Sequence, residues 1–203
     1  MELHVPVIGI LRGVARDFFG QVLTAAFTAG LQAIEVTFNT EGAEAMVADH
    51  RGRLPAGKML GMGTIRNLAE ARKAVAAGAM FLVTPNTDPE VIEYAAARQV
   101  PLIAGAFTPT EVYTAWSAGA TMVKVFPCGT AGPHYIRELR GPFDQIPLVA
   151  VGGVNIDNVG AYFDAGARAV GVGTSLFGRQ ALEERSPEAI GAHVYQFLGK
   201  VLQ

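Results

Sequence analysis

Eight short apolar runs alternate with alanine-rich segments along this chain, and this alternation restricts the fold more than any other feature of the sequence. Within the intervening segments apolar residues recur at helical spacing, as at Leu68, Ala71 and Val75. Strands that regularly alternate with helices build a parallel sheet, because parallel neighbours need a long crossover connection. The predicted strands are Val5 to Leu11, Ala33 to Phe38, Met59 to Gly63, Phe81 to Thr84, Pro101 to Phe107, Met122 to Phe126, Pro147 to Val151 and Ala169 to Val172.

Turn and capping residues bound the predicted helices. Asn67, Asp88, Thr108 and Asn155 are expected to open helices, since their side chains can accept hydrogen bonds from the free N–H groups of a first turn. At the other end, an Ala-Gly pair closes every second helix, and the glycine suits the position just after a helix. These pairs lie at residues 29–30, 77–78, 118–119 and 165–166, and each interval holds two strand–helix units.

Eight such units use up the chain, so we predict an α/β fold: a single, compact (β/α)8 barrel over residues 1–203, smaller than the ~250 residues typical of this architecture. A doubly wound open sheet is the alternative. It would favour a Gly-x-Gly-x-x-Gly turn after the first strand, and Gly9 to Gly13 does not supply one.

Composition excludes several classes of protein. Half of the residues are hydrophobic and only 17% are charged, which is unlike a disordered chain, and a net charge of −2 gives no indication of nucleic-acid binding. The amino terminus has no basic region followed by a long apolar stretch, and no apolar run approaches the ~20 residues of a membrane span. With one cysteine, Cys128, no internal disulfide is possible. We therefore expect a soluble, cytoplasmic protein with no membrane partner.

Lys124 lies in the otherwise apolar strand Met122 to Phe126. Removing an ammonium group from water lowers its pKa from about 10.4, because burial disfavours the charged form. The neutral amine that results near pH 7 is a nucleophile, and this is how proteins make a lysine that forms a Schiff base.

Glu35 is a second charged residue inside an apolar strand, Ala33 to Phe38. Burial without a partner raises the pKa of a carboxyl group, so Glu35 could both take and give protons near neutrality. The alternative is a structural ion pair, for example with Lys124 itself. The two roles overlap, since a carboxylate beside a lysine can orient it before moving protons.

Two glycine turns follow the seventh and eighth predicted strands. The first contains Gly152 and Gly153, and the second contains Gly173 with the hydroxyl residues Thr174 and Ser175. Glycines let backbone N–H groups approach an anion, and the loops after strands seven and eight are the usual phosphate site of this barrel. The pattern therefore predicts phosphate binding.

Metal and thiol chemistry find little support. The four histidines are scattered, and none forms a ligand-spaced group with another histidine or a cysteine, so we predict no metal site and no cofactor. Cys128 is interpreted as a small, partly buried residue and not as a catalytic thiol, because no local Cys/His signature accompanies it. Phe126 follows Lys124 by two residues and is expected on the same face of the strand.

With these residues in view, the sequence resembles the class I 2-keto-3-deoxy-6-phosphosugar aldolases over nearly its whole length. Seven motifs in order carry the resemblance. They are Val5-Pro6-Val7-Ile8-Gly9-Ile10-Leu11-Arg12, Ile34-Glu35-Val36-Thr37, Gly61-Met62-Gly63-Thr64, Val83-Thr84-Pro85-Asn86, Thr108-Pro109-Thr110-Glu111, Lys124-Val125-Phe126-Pro127 and Val151-Gly152-Gly153-Val154.

The resemblance implies roles for individual residues. Lys124 would form the Schiff base with the keto carbon, and Glu35 would move protons through a bound water. The remaining roles concern substrate binding: Thr64 and Arg12 would hold the pyruvyl carboxylate, Phe126 and Pro85 would pack against that end, and Gly152, Gly153 and Thr174 would hold the phosphate. The ligand would be a phosphorylated keto acid, and the family's common state, a homotrimer, is expected.

Within the family, several features resemble the phosphogalactonate branch. Asn39, a candidate substrate-binding residue, stands where phosphogluconate-type members usually carry arginine, and Thr84-Pro85-Asn86 replaces their Ser-Pro-Gly. The short amino terminus and the stretch 131–136 also resemble that branch, whereas Met62 and Cys128-Gly129 depart from the usual residues. We therefore expect 2-dehydro-3-deoxy-6-phosphogalactonate as substrate, with its gluconate epimer or 4-hydroxy-2-oxoglutarate as alternatives.

Two other functions use the same residues. A phosphosugar isomerase or epimerase would share the phosphate site and use Lys124 only electrostatically, so Lys124→Arg would keep substantial activity. A non-catalytic sensor of a phosphorylated ligand is the other possibility, although binding gains little from a buried lysine without a permanent counter-ion.

Overall fold

The computed structural model, which describes residues 1–202, is a closed barrel of eight parallel strands in sequence order, with the eighth strand paired to the first. The predicted (β/α)8 barrel is confirmed, and the open-sheet alternative is wrong because the ring closes. The strands are β1 (Val7–Leu11), β2 (Ala33–Thr37), β3 (Met59–Gly63), β4 (Leu82–Val83), β5 (Leu102–Ala106), β6 (Met122–Val125), β7 (Leu148–Val151) and β8 (Ala169–Val172).

Helices surround this ring. They are α1 (Arg16–Thr28), α2 (Ala43–His50), α3 (Leu68–Ala77), α4 (Pro89–Ala97), α5 (Pro109–Ser117), α6 (Cys128–Ala131), α7 (Pro133–Arg140), α8 (Val159–Asp164), α9 (Thr174–Phe177), α10 (Arg179–Glu183) and α11 (Pro187–Val201), with a 3-10 turn at Arg51–Arg53. Several are very short, which explains how so small a chain completes the barrel. None of the helices in residues 1–202 is long and apolar enough to cross a membrane.

The predicted strands are slightly too long at their ends. Pro101 and Pro147 each lie just before the observed strand, since proline has no N–H to donate to a neighbouring strand. Phe107 and Phe126 follow their strands, although the Phe126 N–H still donates to Ala106 O at 3.0 Å.

Capping side chains begin three of the four helices predicted from them. Asn67, Asp88 and Thr108 each accept a hydrogen bond from the first turn, and Thr108 forms a reciprocal capping box with Glu111. Asn155 acts as a turn residue before the fourth of these helices. Its side chain accepts from the N–H groups of residues 157 and 158 in a turn, so the helix starts only at Val159.

Side chains of alternate strand residues fill two separate cores. The larger lies between the strands and the helices, and it includes Met62, which is fully buried there. The smaller fills the barrel interior with Ile8, Ala33, Phe81, Val83, Ile103, Met122, Val149, Val151 and Ala169. Met62 therefore points away from the barrel interior, so this departure from the family pattern does not reach the cavity described below.

Candidate active site

A cavity of about 480 Å³ lies at the mouth of the barrel, where the carboxyl ends of the strands meet. Ten of the eleven predicted site residues line it: Arg12, Glu35, Thr64, Pro85, Lys124, Phe126, Gly152, Gly153, Thr174 and Ser175. They come from seven different strands or the loops that follow them. A larger groove of about 840 Å³ lies on the outer surface between α1 and α11, and none of the predicted residues lines it.

Lys124 is in the centre of β6, between Gly105 of β5 and Val149 of β7. Its side chain is 6% exposed, and its Nζ lies 4.8 Å from the centroid of the Phe126 ring. Loss of hydration lowers the pKa of the amine, the Glu35 carboxylate raises it in part, and the Arg12 guanidinium lowers it further. The structure thus holds an amine that loses its proton more readily than an exposed lysine.

Glu35 lies on β2 and is 2% exposed. Desolvation raises the pKa of its carboxyl group to about 7, with Lys124 and Arg12 opposing the rise. Its Oε2 atom is the one buried side-chain oxygen or nitrogen in residues 1–202 that has no hydrogen-bond partner. A buried oxygen without a partner is costly, so it is well placed to accept a hydrogen bond from a group bound in the cavity.

The predicted alternative, an ion pair between Glu35 and Lys124, does not form. Three side-chain ion pairs within 4.0 Å occur in residues 1–202, and all of them involve other residues. The carboxylate and the amine therefore act on each other through their charges and not through a direct bond.

Gly63 makes room for the Glu35 carboxylate. A Cβ atom placed on this last residue of β3 would overlap both carboxylate oxygens. The sequence pattern alone did not indicate this contact between Gly63 and Glu35. The available signal was a glycine inside a strand, which often marks a site where another group approaches the backbone closely.

Arg12 connects two other predicted site residues at the rim. Its Nη1 donates to Asn39 Oδ1 at 2.9 Å, and its Nη2 donates to Thr64 Oγ1 at 3.2 Å. Thr64 has φ 58, a left-handed conformation that a β-branched residue rarely adopts. Strain of this kind concentrates at functional sites. Asn39, the eleventh predicted residue, reaches the cavity only through Arg12.

Another part of the cavity wall is formed by the two glycine turns. Gly152 and Gly153 have φ values of 93 and 76, so both occupy the conformation that glycine adopts most readily. Their N–H groups donate to no other group within residues 1–202. Ser175 Oγ donates to Val154 O at 2.8 Å and ties the second turn to the first. The cavity thus offers unused backbone donors to an anion.

Gly129 supports the first turn from behind, a contact that the sequence did not reveal. A Cβ atom on Gly153 would lie 2.7 Å from Gly129 Cα, and one on Gly129 would lie 3.1 Å from Gly153 Cα. The departure at position 129 from the usual family residue therefore lies next to the proposed phosphate site.

Cys128 is fully buried, and its thiol donates to Val125 O at 3.1 Å. Burial raises the pKa of this thiol to about 11, the opposite of what a catalytic thiolate needs. Residues 1–202 contain no group of three or more His, Cys, Asp or Glu side chains that could hold a metal ion.

This fold and cavity define a class of (β/α)8-barrel enzymes whose reactive groups lie at the carboxyl ends of the strands. Within that class, residues 3–193 match the model of the KDPG and KHG aldolase family, and the chain belongs to this family. It is an aldolase, and therefore a carbon–carbon lyase.

Individual relatives agree with this assignment. The chain is 35% identical to a probable 2-dehydro-3-deoxy-6-phosphogalactonate aldolase of Rhizobium meliloti over 173 residues, 85% of this chain and 82% of the relative. It is 32% identical to the 2-dehydro-3-deoxy-6-phosphogalactonate aldolase of Escherichia coli, covering 95% of both chains. A solved structure described as native KDPGal superposes with a TM-score of 0.90 at 30% identity, covering 100% of this chain and 99% of that one.

Proposed function

We propose that this protein is a class I aldolase that cleaves 2-dehydro-3-deoxy-6-phosphogalactonate into pyruvate and D-glyceraldehyde 3-phosphate, with Lys124 as the nucleophile. The observation that carries the proposal is the buried amine of Lys124 in a cavity that also contains the unpartnered Glu35 carboxylate. Burial of both groups brings their pKa values closer together than in water, so proton exchange near neutrality is favoured.

The chemistry begins when neutral Lys124 attacks the C2 carbonyl of the keto acid to form a carbinolamine. Glu35 supplies the proton with which the hydroxyl leaves as water, and a protonated imine results. The imine withdraws electrons, so transfer of the C4 hydroxyl proton to the Glu35 carboxylate breaks the C3–C4 bond and releases glyceraldehyde 3-phosphate. The enamine that remains takes that proton back from Glu35 at C3. Hydrolysis of the imine then consumes one water, returns a proton to Glu35, frees pyruvate and restores the amine.

Two groups of cavity residues suit the two charged groups of this substrate. Arg12 and Thr64 would hold the pyruvyl carboxylate, and Pro85 and Phe126 contribute apolar surface to the same cavity. The free N–H groups of the Gly152-Gly153 turn, with Thr174 and Ser175, would hold the phosphate. Such an arrangement would bind a phosphorylated keto acid.

Borohydride trapping tests the mechanism. With pyruvate present, reduction should add one pyruvyl group to the peptide that contains Lys124, and Lys124→Arg should abolish both the adduct and the turnover. The matched control is Lys58, a partly buried lysine whose pKa is also lowered and whose Nζ donates to Leu31 O at 2.7 Å. An adduct on Lys58, Lys73 or Lys200, or substantial activity in Lys124→Arg, would contradict the proposal.

The preference for the galacto epimer is supported by Asn39 and by the Thr84-Pro85-Asn86 stretch, which resemble that branch of the family, and by the relatives named above. Comparing kcat/KM for the two C4 epimers and for 4-hydroxy-2-oxoglutarate tests it. We expect the galacto epimer to be favoured at least tenfold. Equal values for the two epimers would leave the mechanism intact and overturn the substrate assignment.

The homotrimer that the family resemblance implies also belongs to the proposal. Light scattering coupled to size-exclusion chromatography should give three times the mass of one chain. A single-chain mass at micromolar concentration would overturn this part alone.

A further inference from the structure

Asn39 contributes to the site without lining its cavity. It lies four residues after Glu35, in the loop that follows β2, and its side chain is exposed. The Oδ1 atom accepts a hydrogen bond from Arg12 Nη1 at 2.9 Å. A residue in this place can act on a bound ligand through the arginine that it holds.

The Arg12 side chain is exposed and long, so on its own it would sample many rotamers and lose that freedom when a ligand binds. Two acceptors on different loops restrain it: Asn39 Oδ1 and Thr64 Oγ1. Each terminal nitrogen of the guanidinium donates one N–H to them and keeps a second N–H for a ligand. The two bonds therefore orient a planar donor group beside the cavity before substrate arrives.

The loop that carries Asn39 is itself held in place. The Thr40 N–H donates to Thr37 O at 2.9 Å, and the hydroxyl groups of these two threonines are 2.9 Å apart. The Gly13 N–H, one residue after Arg12, donates to Thr40 Oγ1 at 2.9 Å. The loops after β1 and β2 are thus joined twice, by Gly13 to Thr40 and by Arg12 to Asn39.

We propose that Asn39 is a positioning residue, which acts on the carboxylate of the keto acid only by orienting Arg12. This inference rests on the proposed function, because it assumes that Arg12 holds that carboxylate. A neutral amide suits the role, since it accepts a hydrogen bond from the guanidinium without neutralising its charge. An arginine at position 39 would offer no acceptor and would repel Arg12.

A double-mutant cycle tests this role through the half-saturating concentration of pyruvate in the borohydride reaction at Lys124. One exposed hydrogen bond has a modest net value, so Asn39→Ala should raise that concentration about three- to tenfold while the maximal trapping rate stays within about twofold. Arg12→Ala should raise it considerably more. In the double variant, the half-saturating concentration should exceed that of Arg12→Ala alone by less than twofold.

Gln145→Ala is the control, because Gln145 is also an exposed amide residue, its side chain makes no hydrogen bond within residues 1–202, and it does not line the cavity. It should leave pyruvate half-saturation unchanged. If the effects of the two single variants multiply in the double variant, Asn39 contacts the substrate directly and the inference is overturned. Half-saturation at the wild-type concentration in Asn39→Ala would overturn it as well. Absence of a pyruvate adduct on wild-type Lys124 would instead refute the proposed function itself.

Discussion

Glu35 and Lys124 line one cavity from β2 and β6, and they do so without forming an ion pair. Burial raises the pKa of the carboxyl group to about 7 and lowers the pKa of the amine. A direct ion pair would have kept both groups charged and held them together. Their separation leaves the Glu35 carboxylate and the Lys124 amine free to act on a bound molecule.

The raised pKa of Glu35 predicts how stability depends on pH. Between the ordinary value of 4.5 and about 7, the folded protein keeps a proton on Glu35 that the unfolded chain has lost. Stability therefore falls as pH rises through this window, by about 3 kcal/mol in total for this one group. Glu35→Gln should not lose stability over this range. Urea unfolding at pH 4.5 and pH 8 should therefore show that the free energy of unfolding of the variant rises relative to that of the wild type.

Glu111 provides the control of opposite sign. The Thr108 and Phe107 N–H groups and the Thr108 hydroxyl lower the pKa of its carboxyl group. Wild type should therefore gain stability relative to Glu111→Gln as pH rises through the titration of this group. Parallel stability curves for the wild type and Glu35→Gln would show that Glu35 titrates normally.

Substitution of Gly63 should damage catalysis through Glu35. The added methyl group of Gly63→Ala would overlap the Glu35 carboxylate, which must then move from its place in the cavity. Misplacement of a reacting group by about 1 Å can cost roughly 100-fold in rate, so kcat should fall by about that factor. Gly52→Ala is the control, because nothing lies within 4 Å of the added atom. Wild-type kcat in folded Gly63→Ala would show that the carboxylate position is not critical.

Substitution of Gly153 should weaken phosphate binding selectively. Gly153→Ala forces an alanine to φ 76 and brings its methyl group within 2.7 Å of Gly129 Cα, so the turn must shift. We expect KM for the phosphorylated substrate to rise at least tenfold, while half-saturation by pyruvate in the trapping reaction stays within about twofold. Gly160→Ala in α8, where the added atom meets nothing within 4 Å, should change neither. An equal loss in both assays would indicate general damage and not a phosphate site.

Cys128 should be chemically inert in the folded protein. Its thiol is buried, donates to Val125 O and has a pKa raised to about 11, so little thiolate exists at pH 8. Iodoacetamide should react with it only after urea is added. Cys128→Ala should keep kcat within about threefold and lose about 1–2 kcal/mol of stability, measured by urea unfolding. Rapid modification of the native protein would contradict this interpretation.

Much of the fold was predictable because it depends on local chemistry. Strand positions followed from apolar runs, and helix starts at Asn67, Asp88 and Thr108 followed from side chains that cap their own helices. Asn155 shows the same chemistry in a turn, because its side chain accepts hydrogen bonds from the backbone just before α8.

The candidate site was predictable to the extent that it depends on strand ends. A parallel barrel places all the carboxyl ends of its strands at one rim, so Lys124, Glu35 and the glycine turns had to converge once the strands were correct. Contacts between residues distant in sequence were not predictable. The fit of Gly63 to Glu35, of Gly129 to Gly153, and of Asn39 to Arg12 each depends on side-chain and backbone positions that only the folded chain defines.

The cavity residues come from seven of the eight strands, and this affects how the protein loses activity when it unfolds. Only a segment that runs from β1 to the turn after β8 contains all of these residues, so we expect a partly assembled ring to have no turnover. Inactivation by heat or urea should therefore coincide with the global transition. For this enzyme, a simple assay of product also reports how many molecules have an intact ring.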